Sequence, residues 1–372
     1  MISLEQKILA CSAELYPDSY QQQKLQRLML RCMDVDHLIG TAFDEGVAGL
    51  LYKNLTKSNL PDILDKKQRE TLRNLYHGNV VFNLKLIHDF KEILHRLNQK
   101  KIKVVPLKGI ILLKQVYRDI GLRQLTDIDL WILDRDHREI IRTLTALGYR
   151  SDPVYPGTFR RGRTTIDLHF HILGAERIGA RKFILARGQS HFYTNARSMD
   201  FEGEEVLSLN KYDQVIILSL HALKHNAERL IWLVDIKSLL AGWEKPDWEA
   251  LIDRVRYMGQ EKSVSYIFFL IRHIFGFPFP QEVSRALKLG ELNFLEKKLL
   301  KERLKKGPLP KWAALFLFSP DRGLWARIYS ILETLFPRPE ILRQGFASSR
   351  ELKVWELYLK RVCQLINMAK KH

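Results

Sequence analysis

Three aspartates occupy positions from which their carboxylates could act together on phosphate groups. Asp127 and Asp129 flank one apolar residue at the start of an apolar run, and Asp167 lies inside a second such run. Side chains two apart on a strand point to the same face, so the pattern predicts a cluster of carboxylate oxygens. Mg²⁺ binds such oxygens together with substrate phosphates, and two ions can hold the attacking and leaving oxygens of nucleotidyl transfer. The three aspartates are therefore candidate metal ligands.

The alternative for Asp127 and Asp129 is structural, since acidic residues also cap strands and keep them soluble. Asp-x-Asp occurs twice more, at 34–36 and 134–136. Neither of those runs continues into a strand with alternating apolar residues, so neither is a candidate site.

Basic residues lie close to the aspartates in the sequence. Lys108 and Gly109 end a predicted strand and open a predicted helix, where backbone N–H groups can receive an anion. Arg123 lies four residues before Asp127. A cation at a helix N-terminus opposes the helix dipole, which favours a functional reason for Lys108. Lys108, Gly109 and Arg123 are candidate nucleotide contacts, and the alternative for Lys108 is an ordinary exposed lysine.

Two histidine pairs have spacings that place each pair on one face. His169 and His171 are two apart on the predicted strand of Asp167, which makes His169 a further candidate nucleotide contact. His221 and His225 are four apart in a predicted helix, and with Asp235 they could form a zinc site. HExxH is absent, so we favour a pair of histidines that either lines a cleft or is buried and hydrogen-bonded.

Elements of two kinds must position these residues. Apolar alternation predicts strands, and apolar residues three and four apart predict helices. Between 97 and 208 the predictions are strands at 102–107 and 128–133, helices at 110–117 and 136–147, and a hairpin of 158–161 with 164–171.

Helical patterns surround this segment, so the predicted fold class is α+β: a small mixed-sheet core with helical regions on both sides. The predicted regions are an N-terminal helical region at 1–96, an α/β core at 97–208 and a C-terminal helical region at 209–372. A turn or helix start is predicted at 59–62. Asn210 is predicted to cap a helix.

Composition indicates a globular protein with a polyanion as partner. The 372 residues include 60 Lys and Arg against 42 Asp and Glu, a net charge of +18, and three widely separated cysteines. No membrane-spanning run and no secretory signal is evident, so we expect a cytoplasmic protein. The strong positive charge favours nucleotides, nucleic acid or an anionic membrane as partners, or else keeps the protein soluble.

The basic residues are concentrated towards the C-terminus. Residues 301–372 hold 15 Lys and Arg against 6 Asp and Glu. Aromatic residues recur there near helical spacing and are predicted first to be core, with RNA binding or a membrane surface as alternatives. These residues are Trp312, Phe316, Phe318, Trp325, Tyr329 and Phe336.

Taken together, these motifs resemble a family of uncharacterised bacterial nucleotidyltransferases with an LKG…R-x-x-x-DIDL…DLH signature. The order of the blocks is more specific than any one of them. The blocks are VPLKG at 105–109, RQLTDIDL at 123–130, IDLH at 166–169, LSLHALKH at 218–225 and RLIWLVDI at 229–236.

The resemblance implies a polymerase-β-like nucleotidyltransferase core. In that superfamily two acids of Asp-x-Asp bind the metals, so Asp127 and Asp129 are the expected metal ligands. Asp167 would complete the metal site and help to activate the acceptor. Lys108 and Gly109 stand where that superfamily has Gly-Ser, so Lys108 is expected to replace the missing hydroxyl contact with the triphosphate.

The predicted function is Mg²⁺-dependent transfer of an NMP from an NTP such as ATP. The acceptor is a small molecule, a protein hydroxyl or an RNA end. The alternative is a catalytically silent protein of the same fold that binds nucleic acid or a partner through its basic C-terminal region. A scaffold role in an assembly system is a third class. The oligomeric state is left open by the sequence.

Overall fold

The computed structural model describes residues 2–57, 63–310, 312–318, 324–346 and 352–370. The turn predicted at 59–62 lies outside the described residues.

The N-terminal region is helical, as predicted. Three of its helices begin at aspartates, because the carboxylates of Asp18, Asp34 and Asp65 accept hydrogen bonds from backbone N–H groups three residues later. The helices are α1 (Leu4–Ser12), α2 (Ser19–Met29), α3 (Val35–Asp44), α4 (Ala48–Lys57) and α5 (Lys66–Gln99).

The central region is a mixed sheet with short helices. Its elements are β1 (Val105–Leu107), α6 (Gly109–Gln115), β2 (Ile128–Trp131), α7 (His137–Ala146), β3 (Arg150–Ser151), β4 (Thr158–Arg161), β5 (Thr164–His169), α8 (Ser190–Thr194), β6 (Arg197–Phe201) and β7 (Glu204–Ser208). The five-stranded sheet has the order β1-β2-β5-β4-β3, in which β2 and β5 are parallel and the other pairs are antiparallel. The predicted hairpin of 158–161 with 164–171 is confirmed as β4 and β5.

The parallel pair of β2 and β5 determines where the predicted aspartates lie. Its register places Asp129 opposite Asp167, and Ile128 opposite Ile166. Both isoleucines are fully buried, so hydrophobic burial holds this face of the two strands against the core. The alternation of side chains then turns both carboxylates to the other face.

The hairpin of β6 and β7 was not predicted from the sequence. It joins the core through a hydrogen bond from the Leu207 N–H to the Val104 carbonyl, 3.2 Å long, and through edge-to-face packing of Phe201 on Phe90 with ring centroids 4.9 Å apart. Most residues of β6 are exposed, so the strand lacks the apolar alternation that would reveal it.

The C-terminal region is helical, and Asn210 caps its first helix by accepting hydrogen bonds from the N–H groups of Tyr212 and Asp213. The helices are α9 (Lys211–Lys224), α10 (Leu230–Leu240), α11 (Lys245–Met258), α12 (Glu261–Phe275), α13 (Gln281–Ala286), α14 (Phe294–Lys306), α15 (Ala314–Leu317), α16 (Leu324–Leu335), α17 (Pro339–Phe346) and α18 (Val354–Lys370). The α+β class with helical flanks is therefore confirmed. Within the residues described, no helix has both the length and the apolar character needed to cross a membrane.

Contacts between distant segments join the helical regions. The buried Arg303 guanidinium donates 2.8 Å to Glu45 Oε2 and 2.7 Å to the Ala227 carbonyl. Glu45 also accepts a hydrogen bond from the Ile231 N–H through its own carbonyl, 3.0 Å away. The boundaries 1–96, 97–208 and 209–372 stay a prediction.

The prediction that the C-terminal aromatic residues are core is wrong for most of them. Phe318 is buried at 7% exposure, but the other five are 37% exposed or more, and Trp325 reaches 82%. Helical spacing shows that residues share a face and does not show what covers that face.

We expect Gly49→Ala to destabilise the protein by about 1–3 kcal/mol, because an added Cβ would clash with the Gly121 backbone carbonyl. Gly78→Ala is the matched control: Gly78 lies inside α5 with open space around it, so alanine should stabilise by about 0.5–1 kcal/mol. Urea unfolding of both variants checks the pair. Equal stability of the two variants would contradict the close approach of α4 to Gly121.

Candidate active site

The three predicted aspartates form one cluster on the two parallel strands, with Asp127 just before β2, Asp129 inside β2 and Asp167 inside β5. Each of Asp127, Asp129 and Asp167 offers a carboxylate oxygen, and these oxygens lie within 4.8 Å of one another. In the described part of the chain this is the one group of three or more His, Cys, Asp or Glu side chains placed to hold a metal ion. The cluster is therefore a candidate metal site.

Asp129 is the most buried member of the cluster and has two basic partners. Its Oδ1 lies 2.8 Å from Lys108 Nζ and 2.7 Å from His169 Nε2. Burial alone would raise the pKa of Asp129, but the positive charge of Lys108 and the hydrogen bond from His169 outweigh it and hold the pKa well below its usual range. Asp129 is therefore a carboxylate at neutral pH.

The other two aspartates have fewer partners. Asp127 Oδ1 accepts a hydrogen bond from the Thr126 hydroxyl, 2.9 Å away, and Asp167 Oδ1 accepts one from the Thr158 hydroxyl, 2.6 Å away. Burial, together with the negative charge of Asp129, raises the pKa of Asp127 to about 6. A cation among the three carboxylates would relieve this repulsion, so the donor set fits a hard divalent ion.

Lys108 stands at the junction of β1 and α6 with φ 57° and ψ −125°, a backbone region that is costly for a residue with a Cβ. This conformation carries its side chain to Asp129. The predicted Gly109 follows it, and a Cβ there would lie 2.5 Å from Arg123 Nη1 and 2.5 Å from Leu125 Cδ2. A side chain at 109 would therefore require the ends of the Arg123 and Leu125 side chains to move.

Arg123 is held by a different partner from the one that the sequence suggests. Its Nε and Nη2 donate to the Asp235 carboxylate at 2.9 and 2.7 Å, and the Tyr117 hydroxyl donates to the same carboxylate at 2.7 Å. Arg123 is 5% exposed and Asp235 is fully buried. The pair ties the loop before β2 to α10. The nucleotide contact of Arg123 stays a prediction, and its guanidinium is already occupied by Asp235.

His169 lies on β5 and contacts Asp129 of the neighbouring strand, while its nucleotide contact stays a prediction. Its Nδ1 lies 3.8 Å from Glu176 Oε1. Burial lowers the pKa of His169, but its contacts with Asp129 and Glu176 raise it by more, so the pKa lies above its ordinary value. His171 instead accepts a hydrogen bond from the Leu173 N–H through Nδ1, 3.2 Å away.

The end of α9 faces the acidic cluster with basic side chains. Burial, then the charges of Lys108 and Arg181, lowers the pKa of Lys224 to about 7. Burial also lowers the pKa of Arg181 to about 10. Burial and the charge of Lys224 lower the pKa of His225 to about 3. Lys224 and Arg181 are therefore basic side chains with too little negative charge nearby, as at a site for an anion, whereas His225 is neutral near pH 7.

His221 and His225 do not form the zinc site that was one alternative. Their ring centroids are 4.7 Å apart, and the Trp232 ring lies 4.8 Å from that of His221. Asp235, the expected third ligand, is bound to Arg123 instead. His221 Nδ1 is buried without a hydrogen-bond partner in the described residues, so hydrogen bonding of the pair is absent at this atom.

Sequence reasoning missed two charged residues of the site. Arg181 and Glu176 lie in the segment between β5 and α8, outside every motif. No periodicity or spacing in the sequence identifies them, because the segment that carries them to the site is not part of a regular strand or a long helix.

Comparisons with known proteins agree with this geometry. Residues 31–276, well over half of the chain, match a family described as uncharacterised nucleotidyltransferase. Comparisons with curated proteins and with solved structures give no match. The matched segment contains β1, β2 and β5 with all three aspartates. The chain belongs to this nucleotidyltransferase family.

Proposed function

We propose that this protein transfers an NMP group from an NTP to an acceptor that carries a nucleophilic hydroxyl, and that the reaction depends on Mg²⁺. The observation that carries the proposal is the cluster of three carboxylates in a chain of a nucleotidyltransferase family. All three acids are present, which favours an enzyme over a catalytically silent protein.

Asp127, Asp129 and Asp167 would hold the metal, and we propose two ions. Bound Mg²⁺ would supply positive charge that neutralises the phosphate oxygens during transfer. The metal preference rests on the donor set, since three carboxylates without thiolate or imidazole ligands suit Mg²⁺ better than zinc.

The transfer exchanges one P–O bond for another. The acceptor oxygen bonds to the α-phosphorus, the bond from that phosphorus to the bridging oxygen breaks, and pyrophosphate leaves. Asp167 is the proposed base, because its Oδ1 is held by Thr158 while Oδ2 stays available for the acceptor proton. The protein contributes mainly position and charge, as in phosphoryl transfer generally.

Lys224, Arg181 and Lys108 would bind the β- and γ-phosphates. Lys108 contacts Asp129, the charges of Lys108, Arg181 and Asp129 all act on Lys224, and Lys224 has no carboxylate partner within the described residues. A triphosphate would supply the missing negative charge. The same triphosphate would compete with Asp129 for Lys108, so Lys108 is placed to move from the carboxylate to a phosphate.

Lys224→Met should raise the dissociation constant of Mg²⁺–NTP about 10- to 100-fold, because a hydrogen bond between charged groups contributes about 1.5–3 kcal/mol. Lys182→Met is the control, since Lys182 is an exposed lysine in the same part of the protein. Isothermal titration calorimetry measures both constants. Equal affinity of the two variants would remove Lys224 from the phosphate site.

Nucleotide binding should take up a proton at Lys224 at pH 8 and almost none at Lys224 at pH 6. The pKa of Lys224 is about 7 in the free protein, so its amine is mostly neutral at pH 8, and a bound phosphate would raise this pKa. At pH 6 the ammonium is already formed. Titrations in two buffers of different ionisation enthalpy give the proton count. If the Lys224→Met variant still takes up a proton at pH 8, Lys224 is not the group that binds this proton.

Thermal stabilisation by ATP, CTP, GTP and UTP, each with and without Mg²⁺, tests the proposed donor. A ligand that binds only the folded protein raises its melting temperature. We expect a Mg²⁺-dependent rise with at least one NTP. Absence of any rise, with RNA binding that weakens steeply as salt increases, would favour the silent nucleic-acid-binding alternative.

A further inference from the structure

Two helices near the C-terminus carry apolar stripes that face solvent. On each stripe the residues are spaced three or four apart, so they share one side of the helix. The stripes are Trp325, Tyr329 and Leu332 on α16, and Trp355, Leu359, Val362 and Ile366 on α18, with exposures from 39% to 82%.

Other faces of these helices attach them to the protein. Arg361 on α18 donates to the carbonyls of Leu335 and Thr334 at 2.8 and 3.1 Å, and Leu357 is buried at 1% exposure. Glu333 on α16 accepts hydrogen bonds from the Gly179 and Ala180 N–H groups at 2.8 and 2.6 Å. Of the residues in the stripes, Tyr329 also contacts the Phe183 ring, with centroids 6.3 Å apart. The attachments made by Arg361, Leu357 and Glu333 leave the rest of both stripes exposed.

The surroundings of the stripes are basic. Residues 324–346 and 352–370 together contain seven Lys and Arg against three Asp and Glu. Two of the three acids are engaged by backbone amides: Glu333 as above, and Glu356 by the Lys353 N–H at 2.7 Å. An anionic surface is thus the complementary partner.

We propose that the stripes of α16 and α18 dock the protein on an anionic lipid membrane, with both helices lying in the interface. Tryptophan stands at the start of each stripe, and the interface between lipid and water is the environment that this side chain prefers. Aliphatic residues continue both stripes, and basic residues flank them, which is the pattern of helices that bind a membrane surface.

Two other partners fit the same surface less well. RNA would stack its bases on aromatic rings, but Leu359, Val362 and Ile366 offer none. A second copy of the chain would bring an equally basic segment against this one, and the like charges would repel. The lipid surface satisfies both the apolar stripes and the charge.

Sedimentation of the full chain with lipid vesicles tests the proposal. We expect binding to phosphatidylglycerol-containing vesicles and little binding to pure phosphatidylcholine vesicles, with loss of binding as salt increases. Trp325→Glu and Trp355→Glu should each lower the bound fraction about 10-fold. Met33→Glu, at a residue that is 98% exposed elsewhere in the chain, should not change it. Equal melting temperatures of the variants exclude unfolding as the cause.

Three results would overturn the proposal. One is no binding to anionic vesicles, and another is equal loss of binding in Met33→Glu. The third is that the protein binds no vesicles but forms a dimer in sedimentation velocity, or a complex with RNA, and that Trp355→Glu abolishes this dimer or complex. NTP stabilisation of the same variants reports on the nucleotidyltransferase proposal separately, because none of these residues belongs to the proposed nucleotide site.

Discussion

Asp127→Asn should lower the rate of nucleotidyl transfer about 10³-fold or more while leaving the protein folded. The expected loss is large because metal charge at a reacting phosphate is worth several kcal/mol, and each 1.36 kcal/mol changes a rate tenfold. The substituted amide would keep the shape of the side chain and remove one negative ligand. The measurement is the initial rate of pyrophosphate release with Mg²⁺.

Stability separates this loss from simple unfolding. The Asp127 carboxylate is repelled by Asp129, and its pKa of about 6 reflects that repulsion together with burial. Removal of its charge should therefore leave the urea midpoint at pH 7.5 unchanged or higher. Asp134→Asn is the control, because Asp134 belongs to an exposed Asp-x-Asp outside the cluster. Full activity of Asp127→Asn would refute the metal assignment.

Asp235→Ala should lower the free energy of unfolding by about 3–5 kcal/mol, because it leaves the buried Arg123 guanidinium without a counter-charge. Glu139→Ala removes a partner of Lys100 at the protein surface, where water screens the pair, and should change the stability far less. Urea unfolding measures both. A similar small cost for the two variants would show that the buried pair contributes little.

The double variant Arg123→Met with Asp235→Ala tests the predicted nucleotide role of Arg123. Removal of both charges leaves no unpaired guanidinium, so the double variant should recover part of the stability that Asp235→Ala loses, while the Tyr117 hydroxyl still lacks its acceptor. If Arg123 acts only to position the loop before β2, the double variant keeps its NTP affinity. A loss of NTP affinity in a stable double variant would show that the guanidinium reaches the nucleotide.

The sequence was sufficient to predict most of the acidic cluster, because the side-chain direction within each strand depends only on neighbouring residues. Alternation places Asp127 and Asp129 on one face of a single strand, and Asp167 and His169 on one face of another. Burial of Ile128 and Ile166 fixes which face that is. The one further requirement was that the two strands be neighbours in parallel register.

Contacts between distant segments could not be predicted in the same way. Asp235, the partner of Arg123, lies 112 residues away in the sequence, and no pattern in either segment indicates that the two are in contact. Arg181 and Lys224 meet at the site because a loop and the end of a helix converge there. The exposed stripes of α16 and α18 could not be predicted for a similar reason. A helix face that is buried in the core and a helix face that docks on a partner show the same apolar spacing in the sequence.

The most direct test of the central claim follows two radioactive labels of one NTP. The protein is incubated with Mg²⁺ and a cell extract that supplies acceptors, once with NTP labelled at the α-phosphorus and once at the γ-phosphorus. Nucleotidyl transfer predicts that the α-label enters a new product and that the γ-label leaves as pyrophosphate. With the Asp127→Asn variant we expect neither the labelled product nor labelled pyrophosphate. Entry of the γ-label into the product would contradict the account, because it would mean that the protein transfers a phosphoryl group.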